Sequence, residues 1–184
     1  MRTLDGLLDG YRPEDDTEAG DLARLRAMLR AGVDPWSRTT ALHVTVTSVI
    51  LHPPSGRVLL RWHPRQQAWL LVGGHADPGE SDPVTIALRE GREETGLPDL
   101  TPLAGSGVVH LTVVPVRASE SEPAHEHADL RFVLTTEQPA AAQPEHPTAT
   151  LRWLSIPDAR TATSEPNVRQ TLSRVDRLCV TRTS

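Results

Sequence analysis

One run of this chain carries its own start and stop signals, and it limits the possible folds more than any other feature. Asp82-Pro83 opens it, because aspartate accepts from the orphan amides of a first helical turn and proline suits the first helical position. Gly96 closes it as a left-handed cap, and Pro98 forbids continuation. The spacing predicts a helix from about Pro83 to about Thr95, with Val84, Ala87, Leu88 and Gly91 as its buried side. Opposite them, within one turn, stand Glu90, Glu93 and Glu94, interleaved with Arg89 and Arg92. Like charges at this spacing cost a few tenths of a kcal/mol per pair, on the order of 0.2–0.5. A hard divalent cation such as Mg²⁺ or Mn²⁺ offsets that cost, since it takes oxygen ligands and bridges carboxylates to phosphates. The alternative is a solvated face in which Arg89 and Arg92 serve as intrahelical partners.

Strand signals flank this helix. "LHVTVTSVIL", the turn "HPPSG" and "RVLLRWH" predict a hairpin, and "AWLLV" predicts a short strand ending at Val72 before the pair Gly73-Gly74. Upstream, "DLARLRAMLRA" places Leu22, Leu25, Met28 and Leu29 at helical spacing, after a polar stretch read as a loop or lid. Downstream, "LRWLSIPDA" predicts a strand passing into a helix, and "NVRQTLSRVDRLCV" a final amphipathic helix. The expected architecture is an α/β/α sandwich around a mixed β-sheet, with residues 1–40 a helical extension and residues 41–184 the main domain.

Composition removes several classes. All 19 basic residues are arginine, so a P-loop and a pyridoxal Schiff base, which need lysine, are excluded. The net charge of -5 and the lack of a basic stripe argue against nucleic-acid binding. No run approaches the roughly 18 apolar residues of a membrane helix. The single Cys179 and the acidic N-terminal stretch fit a cytoplasmic protein.

The segment "GGHADPGESDPVTIALREGREETGL" resembles the Nudix box: a glycine, five residues, a glutamate, seven residues, then Arg-Glu-aliphatic-any-Glu-Glu-any-Gly-aliphatic. Gly74, Glu80, Arg89, Glu90, Glu93, Glu94, Gly96 and Leu97 occupy the fixed places. There are two departures. Eight residues separate Glu80 from Arg89, which puts the role of Glu80 in question, and Gly91 stands in place of an aliphatic residue. The resemblance implies a hydrolase that cleaves a diphosphate linkage, with Glu90, Glu93, Glu94 and the Gly73 carbonyl holding Mg²⁺ or Mn²⁺ and Arg89 orienting a glutamate. Glu93 is the first choice for the base that activates water, and Glu122 and Glu126 are alternatives from a distant loop.

In "EPAHEHADLRF", two-residue alternation puts His125, His127, Asp129 and Arg131 on one face and Ala128, Leu130 and Phe132 on the other. The apolar face is core. The polar face either lines a substrate groove, with Arg131 on a phosphate and His127 or Asp129 on metal or substrate, or faces solvent with an internal Asp-Arg pair. Arg61 and His75 are further candidates for substrate contact, and the four tryptophans are read as core or rim packing. The expected partner is a small nucleotide or other diphosphate, and homodimerisation is left open. A nucleotide-sensing module without turnover is the competing reading. Isoprenoid diphosphate isomerisation is weak, because it needs an active-site cysteine and Cys179 lies far from the box.

Overall fold

The computed structural model describes residues 3–119 and 122–183, without the side chains of residues 182 and 183. Met1, Arg2, Glu120, Ser121 and Ser184 lie outside the described residues. The chain runs α1 (Leu4–Asp9), α2 (Asp16–Arg30), β1 (Leu42–His52), β2 (Arg57–His63), β3 (Ala68–Leu70), β4 (Val72–His75) and α3 (Pro83–Thr95). It continues through β5 (Thr101–Pro102), β6 (His110–Val116), β7 (His125–Thr135), β8 (Leu151–Ser155), α4 (Ile156–Ala162) and α5 (Pro166–Thr183).

The long apolar strands β1 and β7 pair in parallel at the centre of the sheet, as strands buried on both faces do. One edge of β1 is shared: β4 pairs with Thr45–Ser48 and β2 with Ile50–His52. β6 and β5 likewise share the far edge of β7, whereas β8 takes the far edge of β2 and β3 pairs with Arg61–His63 on the opposite edge, Arg61 having a partner in each. Alternation sends Val44, Val46 and Ile50 of β1 to one face, against α2 and α3. Val49 and Leu51 point to the other, against α4 and α5. The result is the expected α/β/α sandwich with a mixed sheet.

α3 has the predicted bounds. Asp82 accepts from the Val84 N–H at 3.0 Å, and Gly96 is left-handed at φ 66°. Its buried residues are Pro83, Ile86, Ala87, Gly91 and Thr95, while Val84 and Leu88 are only half-buried. A Cβ on Gly91 would lie 2.8 Å from the Leu100 side chain, so the missing aliphatic residue lets the helix sit close to its neighbours. Two expectations need correction. "AWLLV" is not one strand: the chain leaves β2 at Leu70, turns at Leu71 and re-enters the sheet beside β1, so the glycine pair is itself strand.

The polar stretch before Asp21 is a loop only over residues 10–15, between α1 and α2. Thr3 caps α1, Asp15 caps α2 by accepting from the Glu18 N–H at 2.9 Å, and Leu4, Leu8 and Tyr11 join the same core as Leu22, Leu25 and Leu111. This segment covers the outer edge of β6. The Leu111 N–H donates to Tyr11 Oη at 2.8 Å, and the Val113 N–H donates to Asp21 Oδ2 at 2.7 Å. An exposed row of strand amides is thereby given partners. Beneath it, Arg174 of α5 donates to both oxygens of Glu18, at 2.6 and 2.8 Å, with both side chains at most 4% exposed.

Candidate active site

The site forms where β4 presses against α3. Gly73 is needed where β4 pairs with β1, because its φ is 155° and a Cβ there would stand 2.2 Å from the Val46 carbonyl oxygen. At Gly74 the space a Cβ would take is filled by the Glu90 carboxylate, 2.6 Å away. The Gly73 N–H donates to Glu94 Oε2 at 3.1 Å, and Arg61 of β2 pairs with the other oxygen at 3.1 Å. Arg89 is the hub of the remaining acids. It donates to both Glu80 oxygens at 2.9–3.1 Å, to Glu90 at 3.0 Å, to Glu93 at 2.8 Å and to the His75 carbonyl at 2.7 Å. The longer spacing before Arg89 is therefore absorbed in the loop, and Glu80 still reaches the arginine.

The three glutamates do not share one environment as the helical spacing suggested. Glu90 and Glu94 turn toward β4 and retain 14% and 13% side-chain exposure, whereas Glu93 lies outward at 51%. Burial pushes the Glu94 carboxyl up to about 7 despite the pull of Arg61 and the Gly73 N–H. Burial also raises Glu90, against the opposing charge of Arg89. Glu80 moves the other way, held low by its bonds to Arg89. Two half-buried carboxyls kept from ionising easily, beside a backbone with no room for side chains, form an oxygen donor set that fits a hard divalent cation.

A groove of about 290 Å³ opens beside Glu94 and runs along the polar face of β1 and β7, reaching Arg61, His75, His127 and Asp129. The parallel register sets His43 beside His127, Thr45 beside Asp129 and Thr47 beside Arg131. Burial lowers His75 to about 3 and His127 to about 4, so both rings are neutral at pH 7. Asp129 accepts from Thr45 at 3.0 Å, Thr47 at 2.7 Å and Arg131 at 2.8 Å. Arg131 also lines the groove, but most of its donors are already engaged. It is 3% exposed, and four of its five donors go to Asp129, Asn167 and Thr171. It ties the groove floor to α5, so Arg131→Ala is expected to lower Tm, rather than raise KM alone, in a thermal melt run beside the kinetics.

The two alternative bases stand apart from one another, Glu122 near His43 and His127. Glu126 projects to the opposite face of β7 and pairs with Arg24 of α2, and Glu122 is an exposed partner of Arg38 at 3.6 Å. The tryptophans pack as expected: Trp62 and Trp69 meet edge to face at 5.5 Å, and Trp153 donates to the Pro139 carbonyl at 3.0 Å. Arg61 lines the groove, and its Nε is buried without a hydrogen-bond partner among the described residues.

A family model described as NUDIX domain matches residues 41–175. The chain belongs to this family. A Lactococcus lactis protein named "Probable DHNTP pyrophosphohydrolase" is 35% identical to this Nudix chain over 97 residues, covering 52% of the chain and 57% of that relative. Among solved structures, a Caenorhabditis elegans Ap4A hydrolase superposes with a TM-score of 0.59 at 20% identity, covering 74% of this chain and 97% of its own. An Escherichia coli dihydroneopterin triphosphate pyrophosphohydrolase does so at 0.55 and 19%, covering 73% and 94%. At these identities the two structures carry the fold alone.

The Nudix box thus sits on β4, the loop after it and α3; the helix was predicted, while the strand includes the glycine pair itself. Sequence reasoning missed His43, which lies on the groove face of β1 within hydrogen-bond distance of His75. Its signal was the alternation His43-Thr45-Thr47 inside an apolar strand. Gly74→Ala tests the packing of the box. The added methyl displaces the Glu90 carboxylate, so activity should fall at least tenfold with a change in Tm of only a few degrees. Gly73→Ala, which meets backbone instead, should destabilise by more than about 1 kcal/mol in urea unfolding.

Proposed function

We propose that this chain is a divalent-metal-dependent hydrolase that cleaves the pyrophosphate linkage of a nucleoside diphosphate derivative or a nucleoside triphosphate. The observation that carries the reading is the pair of half-buried carboxyls, Glu90 and Glu94, packed against a glycine pair that leaves no room for a Cβ. Family membership and the pyrophosphohydrolase name of the Lactococcus relative support it. Glu90, Glu93, Glu94 and the Gly73 carbonyl would hold Mg²⁺ or Mn²⁺. When bound, such an ion neutralises phosphoryl charge and makes an attacking water more acidic.

The chain's own groups perform the rest. Arg61, which lines the groove beside its partner Glu94, meets a phosphate oxygen. Arg89, fixed by Glu80, aims Glu90 and Glu93 from a single nitrogen. Glu93 is the most solvent-facing of the three glutamates and takes the proton from water. His75 and His127 flank the substrate, and Asp129 positions the groove wall through Thr45, Thr47 and Arg131. Residues 41–184 form the catalytic domain, with residues 1–40 an extension that clamps the β6 edge. A cytoplasmic location is part of the proposal, supported by the lone cysteine.

Stability measurements test the donor set. A carboxyl at about 7 when folded and 4.5 when unfolded contributes stability that is full below pH 4.5 and lost as pH rises through 7. This difference corresponds to about 3 kcal/mol. In EDTA, Glu94→Gln should therefore gain on the unsubstituted protein between pH 5 and pH 8, by up to that amount. Excess Mg²⁺ at pH 8 should raise the Tm of the unsubstituted protein and leave that of Glu94→Gln nearly unmoved. A melting temperature indifferent to both metal and pH would remove Glu94 from the ligand set.

A further inference from the structure

Four histidines from three strands meet at the end of the groove beyond Gly74. His43 is fully buried, and its Nε2 lies 3.1 Å from Nε2 of His75. His75 Nε2 lies 3.3 Å from that of His127, which in turn lies 3.0 Å from that of His125. The ligand atoms of His43, His125 and His127 all fall within 4.8 Å of one another. From these contacts we infer that His43, His125 and His127, with His75 as fourth ligand, form a binding site for a first-row transition-metal dication of the Zn²⁺ type. This site is separate from the carboxylates on α3, and it stands whether or not the proposed hydrolysis does.

The hydrogen bonds around the cluster carry the argument. His43 Nδ1 lies 3.1 Å from the Thr40 carbonyl and His125 Nδ1 lies 2.9 Å from the Pro123 carbonyl. A carbonyl can only accept, so each Nδ1 bears the hydrogen and each Nε2 presents a bare lone pair to the cluster. This is the outer-shell arrangement that fixes the tautomer of metal-ligating histidines. Without an ion the cluster cannot satisfy itself. His75 must donate to His43, and His127 must donate to His125, which leaves the two donors facing each other across 3.3 Å. Shifting each hydrogen to Nδ1 of its own ring and placing a cation among the four Nε2 lone pairs resolves the conflict.

Dimensions and ligand type agree. Zn–N bonds of about 2.0–2.1 Å in a tetrahedron put each pair of nitrogens about 3.3–3.4 Å apart. Three pairs here stand at 3.0–3.3 Å, and the ligand atoms of His43, His125 and His127 lie within 4.8 Å of one another, so small ring movements complete the shell. Imidazole favours Zn²⁺, Ni²⁺, Cu²⁺ or Co²⁺ over Mg²⁺, whereas the α3 glutamates favour the reverse.

The test uses the full-length chain stripped with chelator, then titrated with Zn²⁺ in competition with a chromophoric chelator and separately with Co²⁺. The expected result is one Zn²⁺ bound per chain in the presence of excess Mg²⁺, and intense visible Co²⁺ absorption of tetrahedral type. His43→Gln and His125→Gln should each weaken Zn²⁺ by at least about 100-fold, more than the loss of an outer-shell partner costs. Glu90→Gln/Glu94→Gln should bind Zn²⁺ as before. His125 opens its strand and is half-buried, so its variant decides if the His43 variant does not fold. Zn²⁺ affinity that survives His125→Gln, affinity that falls with the glutamates instead, or a pale six-coordinate Co²⁺ spectrum would each overturn the inference.

Discussion

Glu93→Gln should lower kcat by about 10²- to 10⁴-fold, or 3 to 5 kcal/mol of barrier, the usual range for a general base. The substitution keeps the shape of the side chain and removes its charge and basicity. The fold should survive, because Glu93 is half-exposed and its recorded partner is Arg89, which keeps Glu80 and Glu90. Relief of like-charge repulsion should leave metal-free stability unchanged or slightly higher. The loss should appear in kcat and in kcat/KM alike, since the proton is taken only in the transition state. Equal turnover by the unsubstituted and Glu93→Gln proteins would leave hydrolysis standing and move the base to another group.

Breaking the clamp between the extension and the domain should have the largest effect on stability. Arg174→Met leaves Glu18 as a carboxylate only 2% exposed, with its charge partner gone, against the edge amide of Leu111. Loss of one partner from a buried pair costs about 3–5 kcal/mol, which for a chain of this length is roughly 10 °C in Tm. Adding Glu18→Gln to Arg174→Met should recover part of the loss, because no buried charge then lacks a partner. Urea unfolding measures both changes. A loss under about 1 kcal/mol from Arg174→Met would mean that residues 1–40 are not bound to the domain through this pair.

What was legible in the sequence followed the range of the signals. α3 depends on contacts within a few residues, so Asp82, Pro83 and Gly96 were enough to set its bounds. The box added Glu80, Arg89 and the glutamates; the structure gathers Glu80, Glu90 and Glu93 around the Arg89 guanidinium and pairs Glu94 with Arg61. The core face of β7 followed from alternation alone, and Ala128, Leu130 and Phe132 are buried as expected.

Features that depend on distant pairing were not legible. Asp129 and Arg131 looked equally fit for substrate or solvent, because nothing local reveals Thr45 and Thr47 alongside or Asn167 reaching from α5. His43 became part of the site only through the parallel register of β1 with β7. α1 was hidden because two buried leucines in a short polar segment do not make a periodic pattern, and their burial depends on partners in α2 and the sheet. The even environment assigned to Glu90, Glu93 and Glu94 failed for the same reason. A helical wheel does not show where β4 will press.

The most direct test of the central claim is phosphorus NMR of the full-length protein with a panel of diphosphate compounds, with and without Mg²⁺ or Mn²⁺. The panel holds nucleoside triphosphates, nucleotide sugars, dinucleoside polyphosphates and dihydroneopterin triphosphate. The account predicts that at least one compound is cleaved within its phosphate chain only when the divalent ion is present, and that Glu90→Gln/Glu94→Gln abolishes the reaction. Tight binding of a nucleotide with no metal-dependent cleavage anywhere in the panel would contradict it and make the chain a nucleotide sensor.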